Sequence, residues 1–143
     1  MKISLGSDHA GYKYKEIIKK YLTEKGIEVI DHGAFSNESC DYPDFIRPAA
    51  IDVAEGKAEK GIGVCGTGIG VSMVANKIKG IRAAQVVNED MARLSIEHNN
   101  ANFLALGERV TEEKDIIPIL ETWLNSKFLG GRHLRRINKI DNG

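Results

Sequence analysis

Cys65-Gly66-Thr67-Gly68-Ile69-Gly70 follows an apolar run, Gly61-Ile62-Gly63-Val64. The pattern predicts a buried strand that ends in a cysteine and turns through three alternating glycines into a helix. Such a turn lets several backbone N–H groups face one point, and the helix N-terminus adds partial positive charge there. A negative charge is stabilised at that point. The cysteine at its rim is either a small inert core residue or a thiol whose thiolate the amides favour; the exposed amides favour the second reading. Close strand–helix packing is the other use of three glycines here.

Nucleotide signatures do not fit. A G-x-G-x-x-G occurs at Gly61–Gly66, but it lies inside the predicted strand, and Gly66, Gly68 and Gly70 have the wrong spacing for a dinucleotide fingerprint. No Gly-Lys-Ser/Thr closes the loop, so it is not a nucleoside-triphosphate loop. Six residues after Cys65 stands Val71 rather than arginine, which removes the cysteine-phosphatase pattern. An anion-binding turn beside a thiol remains.

The elements that must carry this turn alternate. Strands are predicted over Lys2–Ser7, Ile27–Ile30, Gly61–Cys65, Arg82–Val87 and Asn102–Leu106, and helices over Tyr12–Lys25, Pro43–Glu55, Gly70–Ile78, Glu89–Glu97 and Glu112–Leu124. Five successive strand–helix units imply an α/β fold: a three-layer α/β/α, doubly wound, Rossmann-like five-stranded parallel sheet. Residues 1–143 read as one domain. Residues 130–143 are basic and form a C-terminal helical extension that needs something to pack on.

Ligands of such sheets bind at the carboxyl ends of the strands. That edge collects Asp8, His9, Cys65, Thr67 and Arg109. Asn88 and Asp31 read as helix caps; Asp8 and His9 fit capping less well, because they adjoin the first crossover. His98 and Asn99 close the fourth helix. His98 is either a partner of the helix dipole or a proton carrier near the site, since the segment returns toward the fifth strand. Arg132 and Arg136 share one helical face with His133 beside them, a spacing suited to gripping phosphate, or a solvated basic tail. Cys40 lies in a polar loop and is given no role.

Acidic and basic residues number twenty each, so net charge steers the chain to neither nucleic acid nor membrane. No apolar run approaches the roughly 20 residues of a membrane span. Two cysteines make no disulfide framework, and the apolar part of the N-terminus is too short for a signal peptide. A cytoplasmic protein with free thiols is expected.

Seven motifs occur in order along the chain: Ser7-Asp8-His9-Ala10-Gly11, Asp41-Tyr42-Pro43, Cys65–Gly70, Ala75-Asn76-Lys77, Gly80-Ile81-Arg82-Ala83-Ala84, His98-Asn99-Asn100-Ala101-Asn102 and Gly131-Arg132-His133. Together they resemble type B ribose-5-phosphate isomerase, essentially end to end. The resemblance implies a metal-free, cofactor-free isomerase that interconverts ribose 5-phosphate and ribulose 5-phosphate through an enediolate, in the non-oxidative pentose phosphate pathway. It also leaves allose 6-phosphate and galactose 6-phosphate as alternative substrates; a non-catalytic nucleotide-binding module is the remote third reading. By the same resemblance Cys65 is the proton-transferring base, and Thr67 assists at the sugar oxygens. Asp8 and His98 open the ring. His9, Arg132 and Arg136 hold the phosphate. Arg109 and Asn99 line the site, Tyr42 lies near the sugar, and the amides of Gly66, Thr67, Gly68, Ile69 and Gly70 bind substrate. A homodimer or dimer of dimers is implied, with the tail of one subunit completing its neighbour's site.

Overall fold

Each strand of the computed structural model, which describes residues 1–143, leads into a helix. β1 (Lys2–Ser7) passes through one 3-10 turn at His9–Gly11 into α1 (Tyr12–Glu24). β2 (Glu28–Asp31) is followed by α2 (Tyr42–Ala54), β3 (Lys60–Cys65) by α3 (Ile69–Asn76), β4 (Ala83–Gln85) by α4 (Glu89–Glu97), and β5 (Phe103–Gly107) by α5 (Glu113–Asn125). A last helix, α6 (Arg132–Asn142), forms the extension. The sheet is wholly parallel, in the order β2-β1-β3-β5-β4. The doubly wound architecture expected from the alternation is present. The winding reverses between β1 and β3, which opens a crevice above their carboxyl ends, where Asp8 and Cys65 lie.

The two faces of the sheet use alternate residues of the same strands. Ile3, Leu5, Ile62, Val64, Leu104 and Leu106 pack with residues of α1, α4 and α5, Trp123 among them. On the opposite face Phe103 and Ala105 pack with Ile46 of α2 and Val71 of α3. Gly63 faces that second layer. A Cβ there would lie 2.6 Å from Val71 Cγ1 and 2.9 Å from Ile46 Cδ1, so its hydrogen lets α2 and α3 close onto the sheet. The glycines before Cys65 therefore serve packing, and those after it serve the turn.

Most element bounds differ from the sequence reading by one or two residues, and for β4, α3 and one expected cap the physical cause is visible. β4 covers Ala83–Gln85 rather than Arg82–Val87, because the Arg82 N–H goes to the Asn102 side chain (2.8 Å). α3 starts one residue earlier than expected and stops at Asn76 rather than Ile78. There the Asn76 side chain turns onto the backbone of Ala83 (2.8 and 3.0 Å), joining helix to strand. Asn88 caps α4 as expected, accepting from the Met91 N–H at 2.8 Å. Asp31 caps no helix, since α2 begins only at Tyr42. Its carboxylate receives the fully buried Lys15 Nζ at 2.8 Å on both oxygens, Lys19 Nζ at 3.1 Å and the Gly33 N–H at 2.9 Å. Burial alone would raise the Asp31 carboxyl, but these three donors outweigh it and hold it below the usual range.

The extension is not bare. Ile137 is buried, Arg82 pairs with Asp141 at 2.5 Å, and His133 stacks on His98. One face of α6 thus packs on its own chain, while Leu134 and Ile140 stay exposed.

Candidate active site

The turn after β3 is held from below. Gly107 allows the closest approach: a Cβ there would collide with the backbone of Thr67. Glu108 N–H donates to the Cys65 carbonyl (2.9 Å), Arg109 N–H to that of Gly66 (2.8 Å), and Gln85 Nε2 to that of Thr67 (2.8 Å). Gly68 then takes φ = +82°, a left-handed value that side chains disfavour, and its N–H turns back onto Cys65 Sγ at 3.1 Å. Cys65 is only 5% exposed, so its sulfur lies on the floor of the turn with a main-chain donor aimed at it.

Not all five amides expected to bind substrate are available. Gly68 N–H is used by the sulfur, and Ile69 N–H by Thr67 Oγ1 at 3.2 Å. The N–H groups of Gly66, Thr67 and Gly70 make no hydrogen bond within the chain. These three form the donor cluster.

The rest of this edge comes from the neighbouring strands. The Tyr42 ring lies against the first turn of α3, where a Cβ at Gly70 would come within 2.5 Å of it. The Arg109 side chain crosses Gly66, 3.4 Å from the position of a Cβ there. Asp8 is 7% exposed and, contrary to the sequence reading, does act as a cap: Oδ1 accepts the Gly11 N–H at 3.0 Å. His9 Nδ1 accepts the Cys40 N–H at 3.2 Å. Sequence reasoning missed Gln85 and Cys40. Neither carries a local signal, because each meets its partner only across the fold.

Within one chain, the remaining candidates lie at the other edge. α4 runs antiparallel to the strands, so His98 at its end sits by the start of β5. That is roughly 15–20 Å from Cys65 at 3.3 Å per strand residue. His98 is therefore not a proton carrier beside Cys65 of the same chain. It stacks on His133 with ring centres 4.3 Å apart and planes 12° from parallel. Desolvation, then His98, Arg132 and Arg136, hold His133 below the usual histidine range. Arg132 and Arg136 are exposed and form no ion pair. Asn99 borders a cavity of about 440 Å³ at this edge, shared with Asn76, Arg82, Ile140 and Asp141 and far from Cys65.

Comparison with known proteins gives the family. The model of a family described as Ribose/Galactose Isomerase matches residues 3–140. Ribose-5-phosphate isomerase B of Escherichia coli is 43% identical over 139 residues, 97% of this chain and 93% of that protein. The structure of Clostridium thermocellum ribose-5-phosphate isomerase B superposes with a TM-score of 0.98 at 52% identity, covering 99% of this chain and 96% of that one. That of Mycoplasma genitalium ribose-5-phosphate isomerase B with bound ribulose 5-phosphate gives 0.94 at 43% identity, covering 99% and 94%.

Proposed function

This chain belongs to the ribose/galactose isomerase family, and we propose that it interconverts ribose 5-phosphate and ribulose 5-phosphate through an enediolate. The observation that carries the chemistry is the Gly68 N–H on Cys65 Sγ at 3.1 Å. A thiolate held this way can take the C2 proton of the open-chain aldose and return it to C1. The charge left behind moves to oxygen. The free N–H groups of Gly66, Thr67 and Gly70 are the donors for it; one such donor is worth about 2.7–4 kcal/mol of barrier. The Thr67 hydroxyl, which already accepts from Ile69, can move a proton between the two sugar oxygens. Ring opening needs a base and an acid, roles we assign to Asp8, whose second oxygen is free of Gly11, and to His98.

His98 can serve only another chain's Cys65. We therefore place the complete site between two subunits, with the carboxyl edge of one facing His98, Asn99, Arg132 and Arg136 of the other. Apolar surface supports the pairing: Ile69 and Met73 of α3 are 46% and 62% exposed beside the thiol turn, and Leu134 and Ile140 of α6 are exposed beside the arginines. His9 from one side and the two arginines from the other would then hold the phosphate, with Arg109 and Tyr42 lining the sugar.

The test is isomerisation of ribose 5-phosphate in deuterium oxide. Conversion with deuterium entering the product is expected. Conversion without any solvent exchange over many turnovers, or activity on allose 6-phosphate or galactose 6-phosphate alone, would overturn the mechanism or the substrate respectively.

A further inference from the structure

The loop between β2 and α2 touches the exit of β1 twice. At its root, Ser7 N–H donates to the Gly33 carbonyl (2.6 Å) and Ala34 N–H to the Ser7 carbonyl (2.7 Å). Asp31 anchors the same root through Lys15, Lys19 and Gly33, and the buried Lys15 ammonium also lies 5.0 Å from the centre of the Phe35 ring. The crest, Phe35 to Ser39, is exposed. The loop then returns at Cys40, whose N–H meets His9 Nδ1 at 3.2 Å. His9 is thus bracketed by a loop fastened one residue before Asp8. An imidazole nitrogen that accepts a hydrogen bond carries no proton, so the ring proton of neutral His9 must sit on Nε2. Nε2 has no partner within the chain.

We propose that Cys40 is a positioning residue: its backbone N–H locks His9 in the Nε2–H tautomer and so aims one fixed donor at the substrate phosphate. The aim rests on the phosphate role given to His9 above; the tautomer does not. The thiol of Cys40 is secondary, 3.9 Å from the same nitrogen.

The experiment is nitrogen-15 NMR of histidine-labelled whole protein, with His9→Ala used to assign the signal among four histidines, alongside steady-state kinetics. The wild type should show a proton-free Nδ1 and a protonated Nε2 at His9. Cys40→Ala, which keeps the N–H, should preserve that pattern. Cys40→Pro, which lacks it, should mix the tautomers and raise KM for ribose 5-phosphate about fivefold, the worth of one hydrogen bond, with kcat nearly constant. A protonated Nδ1 in the wild type overturns the proposal. So does an unchanged KM in folded Cys40→Pro when His9→Ala raises it. If His9→Ala leaves KM unchanged, the phosphate role itself is wrong, whatever the tautomer. Should Cys40→Pro not fold, the wild-type spectrum alone decides.

Discussion

At the carboxyl edge of the sheet the reactive groups are already engaged. Cys65 has Gly68, Thr67 has Ile69, Asp8 has Gly11, and His9 has Cys40. At the amino edge Arg132 and Arg136 project with no ion pair, and His98 has only the ring of His133 against it. On the proposed function, such prearrangement of the first edge suits proton transfer, which demands geometry fixed to fractions of an ångström. On the same proposal the second edge suits a charge that arrives with the ligand, because two unpaired guanidinium groups need no prior partner. In the proposed site the groups for transfer between C2 and C1 stand on the first half and the two arginines for phosphate on the second, while His9 for phosphate and His98 for ring opening cross that division.

The sharpest way to break that division is Cys65→Ala. It should lower kcat by about 10³–10⁴, the scale of a positioned proton carrier, and abolish C2 exchange with solvent while sugar-phosphate binding by calorimetry stays nearly intact. Loss of binding instead would move Cys65 to the affinity half.

Asp31→Asn attacks the root of the Cys40 loop. It removes the bidentate carboxylate of Lys15, 0% exposed, and leaves that ammonium only Glu16 at 3.3 Å, at a cost of about 3 kcal/mol. Because the folded-state carboxyl lies below its ordinary 3.8, the wild-type advantage is complete above about pH 5 and lost as pH falls through the folded value. Urea unfolding at pH 7 and pH 3 measures it; an equal gap at both would deny the ion pair its part.

Arg136→Ala should raise KM roughly 10- to 100-fold, as loss of a charged hydrogen bond to phosphate, with a much smaller change in kcat. Mixing inactive Cys65→Ala chains with Arg136→Ala chains sharpens the comparison further. Assayed at ribose 5-phosphate well below the wild-type KM, where both parent variants are nearly silent, each mixed dimer holds one intact site, so random pairing should restore about a quarter of wild-type activity. No recovery in confirmed mixed dimers would place both halves in one chain.

Gln85→Ala is the mildest test. It removes the 2.8 Å support under Thr67 and should lower kcat about threefold to tenfold with KM little changed. An effect on KM alone would detach the turn's rigidity from the chemistry.

Much of this was legible from residue order. Strand and helix periodicities, the cysteine–glycine turn and the Asn88 cap depend on neighbours a few residues away, so local spacing carries them. Asp31 was misread as a cap because its partners, Lys15 and Lys19, come from the preceding helix. Asp8 was underrated as a cap because the turn it closes is a single 3-10 turn. Cys40 and Gln85 gave no signal, since what they hold lies 31 and 18 residues away.

By itself, the order of residues determined the layered parallel fold, the family and the identity of a thiol at a donor-rich turn, because backbone conformation and hydrophobic period are short-range properties. Only the tertiary structure decided which amides remain free, which nitrogen of His9 is occupied, and that His98 and the arginines stand at the far edge. Those facts depend on strand order and helix direction, which set distances between residues that the chain itself keeps far apart.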